Sequence, residues 1–449
     1  MATTKMLRAK RQWGSIGNII QNFASNVFIL GLNVFTGIII ARFLGPDGRG
    51  EQVAMIMWPR FLAYSLTLGI PAALVYYMKK KNEDQGSLYI TAIYMSLLLG
   101  MLAMGVGAVI IPFWMRDYSS SVIEFAVWAL VMSPVAMLGT INTSALHSRE
   151  EYRIYNFMRY APVLATLIIL LTLVFTGHVN PFTTSIAFLF PAIPIAVWTT
   201  IRLISHYKIK QLNKKQSGKK LLNYGIRSYG TDVAGTFSGY VDQILVVGLL
   251  SPSALGLYIV SQNLAKILNT LQNAVTSVLF PKASGLKTAD AIHLTFKVFR
   301  ISVIVTLLIG LMVYIVAPYL LIILYGSLFR EAVPVFRILI FQTAVTSVSW
   351  ILSQGFMSTG KPGAVTIIRL TTLGLNVVLL NSLIPLLGIR GAAISLLVSS
   401  FVEFIIIFLI YTLQHKVRLK EWVLSGEDLK WIMYRMPYRK DKGNYRVHD

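Results

Sequence analysis

FLGPDGRGEQVAMIMWPR (43–60) and LLSPSALGLYIVSQNLAK (249–266) align without a gap at an offset of 206 residues. Pro46 meets Pro252, Gly50 meets Gly256 and Arg60 meets Lys266. Three identities in eighteen carry little by themselves, but each segment is the turn between the first two apolar stretches of a half-chain. The chain therefore reads as a tandem repeat.

Around these turns lie twelve apolar stretches, at 14–43, 50–78, 88–113, 121–146, 155–176, 182–205, 221–250, 254–280, 294–325, 332–358, 364–387 and 391–413. Most exceed the roughly 20 residues that cross a bilayer as a helix. Between them stand breakers such as GPDGRG (45–50), TGHVNP (176–181), SPSALG (251–256) and STGKPG (358–363), whose Gly, Pro, Asn and Asp fit turns and end helices. Six stretches precede the basic segment KIKQLNKKQSGKK (208–220) and six follow it. The expectation is an all-α polytopic membrane protein with 12 transmembrane helices in two six-helix lobes. The lobes are residues 1–207 and 221–414, joined by the linker 208–220 and followed by a basic tail, 415–449. An even number of spans per half makes the repeat parallel, an arrangement that puts substrate sites between the halves near the midplane.

Composition agrees. The 449 residues are 55% hydrophobic and 13% charged, about half the charge of a soluble chain. A soluble enzyme, a secreted protein and a disordered chain are excluded. Cysteine is absent, which removes disulfides, thiolate catalysis and iron–sulfur clusters. The histidines are scattered, and there is no Walker loop, GxGxxG or Ser/His/Asp arrangement. No cofactor, metal or ATP hydrolysis is expected, so transport would draw on an ion gradient, the membrane potential or removal of product.

The net charge of +23 has a membrane explanation. Lys5, Arg8, Lys10, Arg11, Lys79–Lys81, Arg149, Arg153, Arg159, the 208–220 segment and the tail basics all fall on one side of the predicted topology. The other side keeps only Arg42, Arg49, Arg116, Arg330, Arg337 and Arg390. Basic loops stay in the cytoplasm, so both termini are expected inside and nucleic acid is not needed as a partner. In the tail, a helix at 426–436 capped by Ser425 is expected to lie on the inner membrane surface.

Polar groups at membrane depth are the candidate functional residues, because charge there is expensive. At 1.5 Å per residue, Arg60 and Lys266 lie roughly 15–18 Å below the outer face. They form a symmetric cationic pair suited to a diphosphate or an acidic sugar, against the alternative of structural pairing or snorkelling. Asp242 is expected to pair with Lys266, or else to couple a proton or sodium ion, and Asp232 is a second acid of that kind. Asn22, Asn26 and Asn33 share one face of the first stretch and offer amides to sugar hydroxyls or to other helices; Gln262 joins these cavity candidates. Glu403 lies mid-stretch with no partner evident in sequence. Gly225, Gly230, Gly235 and Gly239 predict close packing or a hinge. Pro59, Pro134, Pro162, Pro191 and Pro194 predict kinks.

VDQILVVGLLSPSALGLYIVSQNLAKIL (241–268) resembles the seventh-to-eighth span region of Wzx-type oligosaccharide flippases. IIIARFLGPDGRGEQ (38–52) resembles their N-terminal signature: an apolar run, Ala-Arg, Leu-Gly-Pro, then Gly after a short turn. These flippases share a superfamily, MATE/MOP, with multidrug extrusion transporters and lipid II flippases. The resemblance extends to twelve spans, two lobes and a basic tail. It implies a non-enzymatic, alternating-access carrier in the bacterial cytoplasmic membrane. Such a carrier moves an oligosaccharide linked to undecaprenyl diphosphate from the inner to the outer leaflet for surface polysaccharide synthesis. The alternatives are a cation-coupled small-molecule exporter on the same fold and a membrane-embedded sugar polymerase or glycosyltransferase. The first stretch lacks the acid that drug antiporters often carry there. The outer loops are too short and acid-poor for the polymerase.

Overall fold

Within a bilayer no water satisfies backbone N–H and C=O groups, so a chain this apolar must pair them internally. It does so entirely as helices among the described residues. A computed structural model describes residues 2–80, 83–207, 213–414, 417 and 419–423, with side chains at all of these except 2–20, 22–23, 231–232 and 419–420. In chain order the helices are α1 (Ala2–Ser65), α2 (Ile70–Met78), α3 (Gln85–Trp114), α4 (Ser120–Ala129), α5 (Met132–Ser148), α6 (Tyr152–Phe175) and α7 (Pro181–Leu189). Then come α8 (Ala192–His206), α9 (Lys214–Leu249), α10 (Pro252–Ala265), α11 (Ile267–Ser284), α12 (Thr288–Tyr325), α13 (Ala332–Ser358) and α14 (Pro362–Gln414). Eight helical segments are long and apolar enough to cross a membrane. The chain is a multi-pass membrane protein.

To within a residue, every expected apolar stretch lies in helix apart from short breaks inside some of them, but not as one helix each. Two helices hold two stretches apiece: α1 across Gly45 (φ 65°) and α14 across Gly388 (φ 59°). Positive φ is the conformation that glycine adopts without steric cost. A Cβ on Gly391 would land on the Leu383 carbonyl, so the chain doubles back between these residues. Other stretches break midway. The second breaks at 66–69, where Leu68 (φ 48°) and Gly69 (φ 68°) are left-handed. The fourth breaks between α4 and α5, the sixth between α7 and α8, and the eighth at Lys266. Pro134 and Pro191 sit at such breaks, where the missing proline N–H is cheapest. Pro59 and Pro162 lie within helix, Pro59 in the part of α1 after Gly45 and Pro162 in α6.

By compactness the chain forms two units. The first is Met1–Leu264, Ala317–Ile338 and Leu373–Ser395; the second is Ala265–Val316, Leu339–Thr372 and Leu396–Asp449. The chain passes between the units five times, after Leu264, Val316, Ile338, Thr372 and Ser395.

One core of the first unit gathers Ile70, Leu74, Tyr89, Leu146, Leu203 and Leu221 from α2, α3, α5, α8 and α9. A second gathers Ala41, Leu257, Val260, Leu321 and Phe329. Between the repeat motifs the backbones cross at near contact. A Cβ on Gly50 would strike the Pro252 carbonyl, and a Cβ on Gly256 would strike the Pro46 carbonyl. The residues that align in sequence are the ones that meet, each glycine against the other copy's proline. This reciprocal crossing ties the start of the second half to the first within a single unit.

The four α9 glycines expected to pack or to bend do not behave alike. Gly225 packs on the 68–69 backbone, whereas Gly230, Gly235 and Gly239 face open space. Of these four, close packing accounts for Gly225.

In the second unit Phe296, Phe299, Phe356 and Tyr411 form an aromatic core. Trp422 packs edge-on to Phe296 at 4.8 Å, and the Tyr411 hydroxyl donates to the Leu352 carbonyl at 2.9 Å. The 426–436 helix expected in the tail lies outside the described residues.

Candidate functional site

The break at 66–69 opens a cavity in the first unit. Its volume is about 530 Å3. Its walls are Tyr64 and Thr67, Pro71 of α2, Thr140, Thr143 and Ser144 of α5, and Gly235, Thr236 and Tyr240 of α9. Helices from both halves of the repeat therefore line it. Seven of the nine lining residues carry hydroxyls and none is acidic. Thr140 donates to the Met137 carbonyl at 2.7 Å, and Thr143 to the Gly139 carbonyl at 2.9 Å. A hydroxyl that donates back into its own helix still offers lone pairs outward. Gly235 leaves open space where a side chain would project. Such a wall suits a ligand rich in hydroxyls.

Arg60 is exposed, one helical turn before Tyr64 on the same face of α1. Its guanidinium lies within electrostatic reach of the Tyr240 phenol. Tyr240 rests on Phe61 at 5.8 Å, and Phe61 on Phe237 at 5.3 Å. These tilted and edge-on ring contacts hold Tyr240 and Phe237 of α9 against Phe61 of α1 at this end of the cavity.

Asp242 lies elsewhere in the same unit and is buried. It accepts from the Tyr258 hydroxyl at 2.6 Å and from the Gln262 amide. Gln243 donates to the Gln262 carbonyl oxygen at 3.1 Å. Gln262, expected among the sugar contacts, thus sits in the shell of Asp242. Lys266 is exposed at the break between α10 and α11, at the start of the second unit.

Of the asparagines, Asn26 accepts from Arg159 of α6 at 2.8 Å, the interhelical use of that amide. Asn33 is exposed. The side chains of Asn22 and Asp232 lie outside the described residues. In the second unit Glu403 gains the partner its local sequence did not reveal. It interacts electrostatically with Arg369, whose guanidinium lies 3.8 Å from the centre of the Trp350 ring. Among the described residues no group of three acids or histidines could hold a metal ion.

The hydroxyl wall was not among the expected site residues. Its signal is present all the same: Thr140, Thr143 and Ser144 recur at i, i+3 and i+4, and Thr236 and Tyr240 at i, i+4, the spacing of one helical face.

The family described as polysaccharide biosynthesis protein matches residues 39–334, well over half of the chain. The chain belongs to that family. The family match takes in both motif copies, the hydroxyl cavity and Asp242. A curated relative, the probable low-salt glycan biosynthesis flippase Agl15 of Haloferax volcanii, is 26% identical over 197 residues, 42% of this chain. The match spans 41% of that relative's length. The fold resembles that of lipid II flippase MurJ in an inward closed conformation, with a TM-score of 0.71 at 16% identity over 93% of each chain. It also resembles an inward-facing multidrug resistance MATE family transporter of the MOP superfamily. There the TM-score is 0.68 at 14% identity, over 86% of this chain and 95% of that one. This member of the polysaccharide biosynthesis family therefore has the MATE/MOP fold.

Proposed function

We propose that the chain is a flippase for a lipid-linked oligosaccharide. It would pass the glycan and its diphosphate across the bacterial cytoplasmic membrane, with undecaprenyl diphosphate as the carrier lipid. The observation that carries this reading is the acid-free, hydroxyl-lined cavity with Arg60 beside it. Threonine, serine and tyrosine hydroxyls exchange hydrogen bonds with sugar hydroxyls in either direction. A guanidinium takes a phosphate or uronate through paired N–H donors. Family membership and the similarity to Agl15 support the same reading. Twelve spans in two lobes, with both termini inside, supply an alternating-access frame. Lys266 adds a second cation by the repeat, and Asp242, Asp232 or Glu403 are the acids available to couple a proton or sodium ion.

A fluorescent undecaprenyl-diphosphate oligosaccharide in vesicles bearing the purified protein tests this. Movement between leaflets is followed by an external quencher. Protein-dependent exchange that Arg60→Ala suppresses is expected. No exchange, together with ion-driven efflux of a cationic dye, would replace the flippase with an exporter.

A further inference from the structure

The first unit holds a second cavity, of about 750 Å3, between the beginnings of α3 and α9. Thr91, Tyr94 and Met95 form the α3 wall. On the α9 wall Lys215, Lys219, Leu222 and Ile226 follow one another at spacings of four, three and four, a single stripe along the helix. The stripe begins charged and ends apolar. Lys214, at the charged end, lies with its ammonium 3.7 Å from the centre of the Tyr94 ring. The stripe runs about 16 Å at 1.5 Å per residue, from Lys215 to Ile226.

The lysines of this groove have no carboxylate partner among the described residues, and the acids close by in sequence are engaged. Glu83 holds Lys220 at 2.6 Å. Asp84 caps α3 by accepting from the backbone of Gly86 and Ser87 at 3.0 and 3.1 Å. The groove therefore keeps three positive charges at one end and Leu222 and Ile226 toward the other, with Thr91 and Asn223 also in its wall, an arrangement that an amphiphilic anion complements.

We infer that this groove is a binding site for an anionic phospholipid of the leaflet on the basic face, its phosphate on Lys214, Lys215 and Lys219 and an acyl chain along Leu222 and Ile226. Basic pockets between membrane helices take acidic head groups in this way. The lipid would staple the start of α9 to α3. The site is separate from the hydroxyl cavity, and the inference stands whether or not the chain is a flippase.

The test uses the full chain in vesicles of phosphatidylcholine with 20% phosphatidylglycerol. Spin-labelled phosphatidylglycerol and spin-labelled phosphatidylcholine report the lipid held at the protein. The wild type is expected to prefer phosphatidylglycerol. Lys214→Gln, Lys215→Gln and Lys219→Gln together should reduce that preference about tenfold. The triple variant Lys282→Gln, Lys287→Gln and Lys361→Gln, with the same loss of charge, should leave it nearly unchanged. Equal losses in both triples would overturn the site in favour of diffuse charge. Inorganic phosphate at 50 mM, against matched chloride, separates the sources. Retention of the labelled lipid supports a lipid site, and full displacement would show a site for free phosphate instead.

Discussion

The two copies of the repeat share a backbone and differ in their charges. At the crossing each presents a glycine to the other's proline carbonyl: Gly50 to Pro252 and Gly256 to Pro46. A few residues away the symmetry ends. The first copy buries a cation, Arg49, which donates to Gln52. At the offset of 206 its counterpart is Leu255. The second copy buries an anion, Asp242, held by Tyr258 and Gln262. Their counterparts are Thr36, Gln52 and Ile56, and Thr36 simply donates to its own helix at Leu32. A backbone approach leaves one solution, a residue without Cβ, and both copies keep it. A buried charge can take its partners from whatever lies nearby, so the two copies hold their charges with different neighbours.

The largest effects should come from the shared feature. Gly50→Ala and Gly256→Ala each press a methyl group on a backbone carbonyl, which overpacks the crossing by on the order of 2–3 kcal/mol. Their apparent thermal midpoints should fall by similar amounts, while Gly235→Ala, with open space around it, should not move. A silent change at one of the pair would break the reciprocity. Next comes the unshared charge. Asp242→Ala strands the Tyr258 hydroxyl and the Gln262 amide, costing about 2–3 kcal/mol, and Asp242→Asn should cost less. Thr36→Val, at the equivalent place in the first copy, should cost under about 1 kcal/mol because it removes one intrahelical bond. Denaturation in detergent, compared across the three variants, measures the difference.

Functional effects should be smaller in energy and separable from stability. Arg60 is exposed, so Arg60→Ala should leave the thermal midpoint in place and reduce leaflet exchange about tenfold, as loss of one bidentate anion contact predicts. Arg60→Lys should recover part of the rate, since an ammonium keeps the charge and loses the fork. Thr140→Val and Thr143→Val should each weaken exchange two- to fivefold, the worth of one neutral hydrogen bond. Exchange rates normalised to folded protein separate these from a general loss of fold.

The helical membrane architecture was legible because apolar length and Gly/Pro punctuation are local signals. Arg60 stands out in the sequence as a charge inside an apolar stretch, but its place one turn before Tyr64 at the cavity wall came only with the fold. The midway breaks at 66–69 and at Lys266 were not legible. At 66–69 the left-handed Leu68–Gly69 turn packs against Gly225, far along the chain, and no local pattern reports that. Gln262 was read as facing a cavity, yet it bonds Asp242 from twenty residues away across a helix pair. Glu403 had no visible partner for a similar reason: Arg369 lies on the far side of the Gly388 break in α14. The hydroxyl wall combines short runs from α5 and α9 with the 64–67 turn. Each run looks ordinary for a membrane helix, and only the fold brings them onto one cavity.

The absence of cysteine allows the central claim, that the hydroxyl cavity receives the glycan, to be tested with a single reporter. Thr236→Cys places one thiol in the cavity wall. Its rate of modification by a maleimide is measured with and without the lipid-linked oligosaccharide. The oligosaccharide should slow labelling at Thr236→Cys and leave Ser358→Cys, outside the cavity, unaffected. Labelling of Thr236→Cys at the same rate with saturating substrate would contradict it.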